Sequence, residues 1–240
     1  MPSRRKRRLA TKSKSRAQTG SQKRSYGTKK AQHVAFFPLL ILSFVFWFIY
    51  RGVFQFPVFF DELIGKAIFF GLPVWLYILV SGYREIADTF APYKMKRGLM
   101  MGIAIGGLYG FVATFLAVLQ SRAIYPSFAF LTNQFWLEFI QALLTGFWET
   151  LFFFSFVMLV IQNSFRNWSL LSKILLVVLV FLVFHLPNTF LRFQGADGWY
   201  QVILLTLFAL GQSLLFLKEK NGYSLAISHA LWGMVLMFHF

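Results

Sequence analysis

Three ionisable side chains stand inside apolar runs: Glu149 in GFWETLFFF, His185 in FLVFHLPN and His229 in LAISHALWG. A carboxylate and two imidazoles drawn together in a dry site can activate water. The carboxylate takes the proton, and the imidazoles bind or polarise the carbonyl under attack. That is the chemistry of peptide hydrolysis. The same trio can instead ligate Zn²⁺, relay protons or, through the two histidines alone, hold a haem between helices, and residue type does not choose among these. With Cys 0 there is no thiolate ligand, cysteine nucleophile or disulfide. A metal would have to use Glu149, His185 and His229, with zinc the natural candidate; otherwise no cofactor is expected. His33 in the tail and His239 at the chain end receive no role.

The elements that must position these groups follow from composition. Hydrophobic residues make up 58% of the 240 positions and charged ones 13%, with Phe 32, which is more apolar surface than a water-soluble core can absorb. Seven apolar runs approach the roughly 20 residues that span a bilayer. They are Val34–Tyr50, Ala67–Gly82, Gly98–Leu119, Phe135–Gln162, Ile174–Phe190, Trp199–Leu217 and Tyr223–Phe240. None alternates or is short enough for a barrel strand. The expected fold is all-α, a polytopic helical membrane bundle of about seven transmembrane helices.

Residues 1–32 carry 12 of the 24 Lys and Arg and no Asp or Glu. So basic a segment, with so little to bury, is expected to form a disordered tail (1–33) that resists translocation and lies on anionic lipid headgroups. Nucleic-acid binding is not expected, because no folded basic module adjoins the tail. With the tail inside, the even-numbered loops hold eight cations (Arg84, Lys94, Lys96, Arg97, Arg166, Lys173, Lys218 and Lys220) and the odd-numbered ones hold Arg51, Lys66, Arg122 and Arg192. A multi-pass protein of the bacterial cytoplasmic membrane is expected. An organellar membrane is the alternative, since an Arg- and Ser-rich, acid-free start also suits a transit peptide.

Glu138, Gln141, Thr145 and Glu149 recur at three- or four-residue spacing and so share a helical face that must meet protein or water. In order and spacing, Gly146-Phe-Trp-Glu149-Thr-Leu-Phe-Phe-Phe154, then Phe181-Leu-Val-Phe-His185, then Ser228-His229-Ala-Leu-Trp-Gly233 resemble the three motifs of the CPBP family of CAAX-type prenyl proteases and bacteriocin-processing enzymes. That family's pattern runs EExxxR, FxxxH and HxxxN. The resemblance covers about 138–240 and divides the chain into N-terminal transmembrane helices (34–134) and a CPBP-like core (135–240). It implies a glutamic-type intramembrane endopeptidase in which Glu149 activates water with His185 while His229 helps to hold the oxyanion. It also implies a membrane-bound peptide or lipid-anchored protein as substrate.

The chain departs from the pattern at three places: Thr150 replaces the second Glu, Phe154 the Arg that would pair with a buried carboxylate, and Gly233 the oxyanion Asn. Asn188 and Thr150 are the residues left to contribute to substrate or oxyanion contact. The alternative is a relative that kept the fold, lost full chemistry and acts as a binding or scaffold subunit. HExxH, GxGD and GxSxG sites are absent from the sequence. At ~1.5 Å per residue, Glu149 and His185 lie roughly 20 Å from the helix ends on the tail side and His229 about 10 Å. The trio can therefore meet only if the last helix starts deeper or tilts.

Overall fold

In lipid there is no water to satisfy N–H and C=O groups, so apolar runs of this length must satisfy them within one helix. A computed structural model describes residues 34–54, 56–121, 132–192 and 195–239, and every regular element in it is helical. The basic tail and Arg122 lie outside the described residues. Seven long helices follow in order: α1 (Val34–Val53), α2 (Val58–Ser81), α3 (Met95–Ser121), α4 (Asn133–Ser164), α5 (Leu170–Arg192), α6 (Ala196–Glu219) and α7 (Gly222–His239). Among the described residues, five of them, α1, α2, α4, α5 and α6, contain stretches long and apolar enough to cross a membrane. The chain is a helical membrane protein.

One boundary differs from the sequence expectation, with consequences for the site. The second span begins at Val58, not Ala67, so Asp61, Glu62 and Lys66 lie inside a helix. Neither Lys66 nor Arg51 is a loop cation, because Arg51 belongs to α1 and Lys66 is buried in α2. Hydropathy reads charges as the end of a span. Here each charge finds a partner on another helix, and the helix runs through.

Helix α4 is the central pillar. Its residues Thr150–Met158 are all buried and wind as a π-helix, while Asn133–Glu149 and Leu159–Ser164 are α-helical. Phe152, Phe153 and Phe156 from this turn are fully enclosed, and Phe70, Phe181 and Phe184 from α2 and α5 close around them. Six of the 32 phenylalanines are thus gathered into one aromatic core just beyond Glu149. Offset and edge-on ring contacts of this kind add to the area they bury.

Helix α7 runs along α3 and α4, where small residues let the backbones approach closely. Gly98, Gly102 and Gly106 form a ladder on α3: a Cβ at Gly102 would sit 2.7 Å from Ile227 Cβ and 2.9 Å from the Ser224 carbonyl, and one at Gly106 would press on Leu231. On α4, a Cβ at Gly146 would collide with the Ala226 carbonyl.

The start of α7 is fixed separately. Asn221 accepts from the Tyr223 N–H at 3.1 Å and donates to the Lys94 carbonyl at 2.9 Å. The Gly222 N–H donates to the Thr89 carbonyl at 2.8 Å, and the Thr89 hydroxyl reaches Ser155 Oγ at 2.8 Å. The last helix therefore begins level with Ser155, well inside the end of α4, which removes the depth mismatch for His229. From there Glu149 on α4 and His229 on α7 are both roughly 9–10 Å away by helical rise.

Filling the ladder should part α7 from its neighbours. Gly102→Ile is expected to cost about 1–3 kcal/mol, as overpacking commonly does. Thermal unfolding of the detergent-solubilised protein checks this, with Gly107→Ala, whose Cβ meets nothing within 4 Å, as the control expected to stay near the parent.

Candidate active site

Glu149 ends the α-helical part of α4 at the start of the π-turn, and only 5% of its side chain is exposed. Insertions of π-helix change which residues share a face and occur often at functional sites. Both helices that meet here contain them, since α2 is π-helical over Asp61–Gly65 and Ala67–Gly71, on either side of Lys66.

The two carboxylate oxygens have different company. Oε1 takes an ion pair from Lys66 Nζ at 2.6 Å, and Oε2 lies 3.2 Å from both His185 Nε2 and His229 Nε2. The three residues singled out in the sequence thus converge on one oxygen. His185 is held by a single neighbour in two ways: its ring stacks on Phe181, with centroids 4.0 Å apart, and its Nδ1 lies 2.8 Å from the Phe181 carbonyl. This contact gives FxxxH a physical meaning, because residues four apart share a helical face. The carbonyl only accepts, so Nδ1 carries the hydrogen. Nε2 is therefore the ring nitrogen that faces Glu149 Oε2. His229 is set by the edge of Phe208 at 4.7 Å, and its buried Nδ1 has no hydrogen-bond partner among the described residues.

The cation that Phe154 removes from the motif returns from another helix. Phe154 is fully enclosed and packs toward Phe181, while Lys66 on α2 reaches both Glu149 and Glu62, the latter at 2.5 Å. Thr145, one turn before Glu149, gives its hydroxyl to Glu62. An acid and a cation from α2 therefore stand beside Glu149, where the family pattern would draw both from the glutamate's own helix. Sequence reasoning missed them. The available signal was Glu62 and Lys66 at i,i+4 spacing, with Asp61 just before them, between apolar stretches.

A second polar cluster adjoins the first. Arg51 pairs with Asp61 and donates from Nε to Asn188 Oδ1 at 2.6 Å, and the Tyr50 hydroxyl donates to Asp61 at 2.5 Å. Asn188 is thus engaged through its oxygen with α1. Thr150 is fully buried, and its hydroxyl has no partner among the described residues. Gly233 presents no side chain, and a Cβ there would meet nothing among the described residues within 4 Å. Among the described residues, no group of three His, Cys, Asp or Glu has the arrangement of a metal site. Lys66 already places a positive charge against Glu149.

Within this helical membrane protein, a buried glutamate, two histidines on separate helices and a lysine countercharge form one cluster. Residues 131–235 match the family model described as type II CAAX prenyl endopeptidase Rce1-like. No curated protein and no solved structure matches the chain. Lys66, Glu62, Arg51 and Asp61 all precede the matched residues.

Breaking the outer ion pair should be costly in one direction only. Arg51→Met strands a buried carboxylate and is expected to destabilise by about 3–5 kcal/mol, whereas Arg51→Met with Asp61→Leu should recover most of the loss. A double-mutant cycle by thermal or denaturant unfolding measures the difference.

Proposed function

We propose that the chain is an intramembrane endopeptidase that hydrolyses a peptide bond of a membrane-associated substrate with water activated by Glu149. The observation that carries this reading is the convergence of His185 Nε2 and His229 Nε2 on Glu149 Oε2, each at 3.2 Å. Oε1 is committed to Lys66, which leaves Oε2 to receive a proton from water. His185 is oriented by Phe181 to share that proton and help pass it to the leaving amine. His229 approaches from the opposite helix and polarises the carbonyl under attack. A dry, prearranged site strengthens each of these interactions.

The substrate class follows from location and family: a membrane-bound peptide or lipid-anchored protein, with a prenylated C-terminal segment as the first candidate. The tail and the Lys- and Arg-rich loops are proposed to face the cytoplasm of a bacterial cell. A second reading, a non-cleaving relative that binds such a peptide, draws on the enclosed Thr150 and on Gly233, which supplies no amide.

A fluorogenic farnesylated peptide offered to the protein in phospholipid vesicles separates the two readings. Glu149→Gln is expected to reduce cleavage at least ~10³-fold while the unfolding temperature stays near that of the parent, within the range that general-base removal produces. Cleavage by Glu149→Gln at the parent rate would assign the base elsewhere, and binding without cleavage by the parent would select the second reading. Gly233→Asn has open space around its Cβ and is expected to be neutral or to raise the rate in the same assay.

A further inference from the structure

An ammonium group has three N–H donors. At Lys66 one goes to Glu62 Oε2 at 2.5 Å and one to Glu149 Oε1 at 2.6 Å, and among the described residues no third acceptor meets it. The group is enclosed, with 6% of its side chain exposed, and it is tethered by two carboxylates before any substrate arrives. A carbonyl attacked by water that Glu149 activates must sit about one water away from that carboxylate. A donor bonded to the same carboxylate is therefore within reach of the carbonyl oxygen. The motif position that would supply a neutral donor from α7 is Gly233, which has none.

Resting on the protease reading above, we propose that Lys66 is a catalytic residue whose unengaged N–H stabilises the oxyanion of the tetrahedral intermediate. Water loses one proton to Glu149 Oε2 as its oxygen bonds to the carbonyl carbon, and the carbonyl π pair moves to oxygen, where Lys66 donates to it. The oxyanion pair then re-forms the carbonyl, the C–N bond breaks, and the amine departs with the proton taken by Glu149. Water is the only co-reactant. A lysine suits the position because its charge is compact and its donors rotate, so two can stay fixed while the third follows the developing charge. Charge-assisted hydrogen bonds are also about twice as strong as neutral ones. The residue lies on α2, outside the family-matched segment, so the site would be completed by the N-terminal half of this chain.

The test uses the full chain in phospholipid vesicles with two probes: the fluorogenic farnesylated peptide, and a phosphinate analogue that mimics the tetrahedral intermediate. Lys66→Met is expected to lower kcat about 10²–10³-fold with KM within about 2-fold of the parent, and to raise the phosphinate Ki by a similar factor to the kcat loss. Lys66→Met with Glu62→Gln removes one positive and one negative charge together, which protects the fold, and should show the same losses. Adding Gly233→Asn to Lys66→Met should restore kcat at least ~10-fold, by returning a donor to the oxyanion. Unchanged kcat in both Lys66 variants of an active parent, or KM and phosphinate Ki rising together at constant kcat, overturns the assignment and leaves the protease reading standing. A parent that neither cleaves the peptide nor prefers the phosphinate overturns both.

Discussion

The structure is organised by the need to keep a glutamate inside a bundle that offers it almost no polar company. An isolated carboxylate in such surroundings is far too costly to retain, and a pair is tolerated only when geometry and added hydrogen bonds offset the desolvation. Lys66 answers one oxygen of Glu149, and two imidazoles answer the other. Glu62 then balances Lys66 and is itself held by Thr145. Two carboxylates, Glu62 and Glu149, thus share the Lys66 ammonium with two imidazoles beside them. Four helices must be in register for this balance to hold, which makes the arrangement an all-or-none constraint on how α2, α4, α5 and α7 pack.

Much of this arrangement was legible in the sequence, and the limits are instructive. Glu149, His185 and His229 stand out because each is ionisable in the middle of an apolar run, where chance rarely leaves such a group. All seven long helices coincide with apolar runs in the sequence, and among the described residues five of them have the apolar length that a bilayer requires. Lys66 and Glu62 fail that test in reverse. With Asp61 they crowd the entry of α2, so a hydropathy reading ends the span at Ala67 and puts the charges outside it. Their partners are 83 residues away in the case of Lys66 and Glu149, and spacing rules relate only residues on the same helix.

The replacement of the motif Arg by Phe154 illustrates the same limit. Taken along one helix it removes a cation from beside the glutamate. Taken across helices, Phe154 becomes aromatic packing beside Phe181, and the cation is delivered by α2. The depth of His229 could not be read from sequence either. Counting from the helix start assumes that all helices begin at one level, whereas Gly222 hangs from Thr89, and Thr89 from Ser155 on α4.

That recessed start of α7 shapes the lipid around the protein as well as the site within it. Lys220, at the α6–α7 turn, is exposed, and near that level Lys94 and Arg97 reach the Lys220 carbonyl and Glu219 through exposed contacts. That level of the protein surface is therefore polar. On the α1 side, α4 continues for roughly 14 Å beyond Ser155, at ~1.5 Å per residue, with Phe36 and Phe37 of α1 packed against Phe156 and Phe165. The apolar belt is consequently lopsided, shallow beside α3 and α7 and deep beside α1. A bilayer adapts to such mismatch by local thinning, which would bring headgroups and bulk water closer to the glutamate from the α3–α7 flank than from any point around α1.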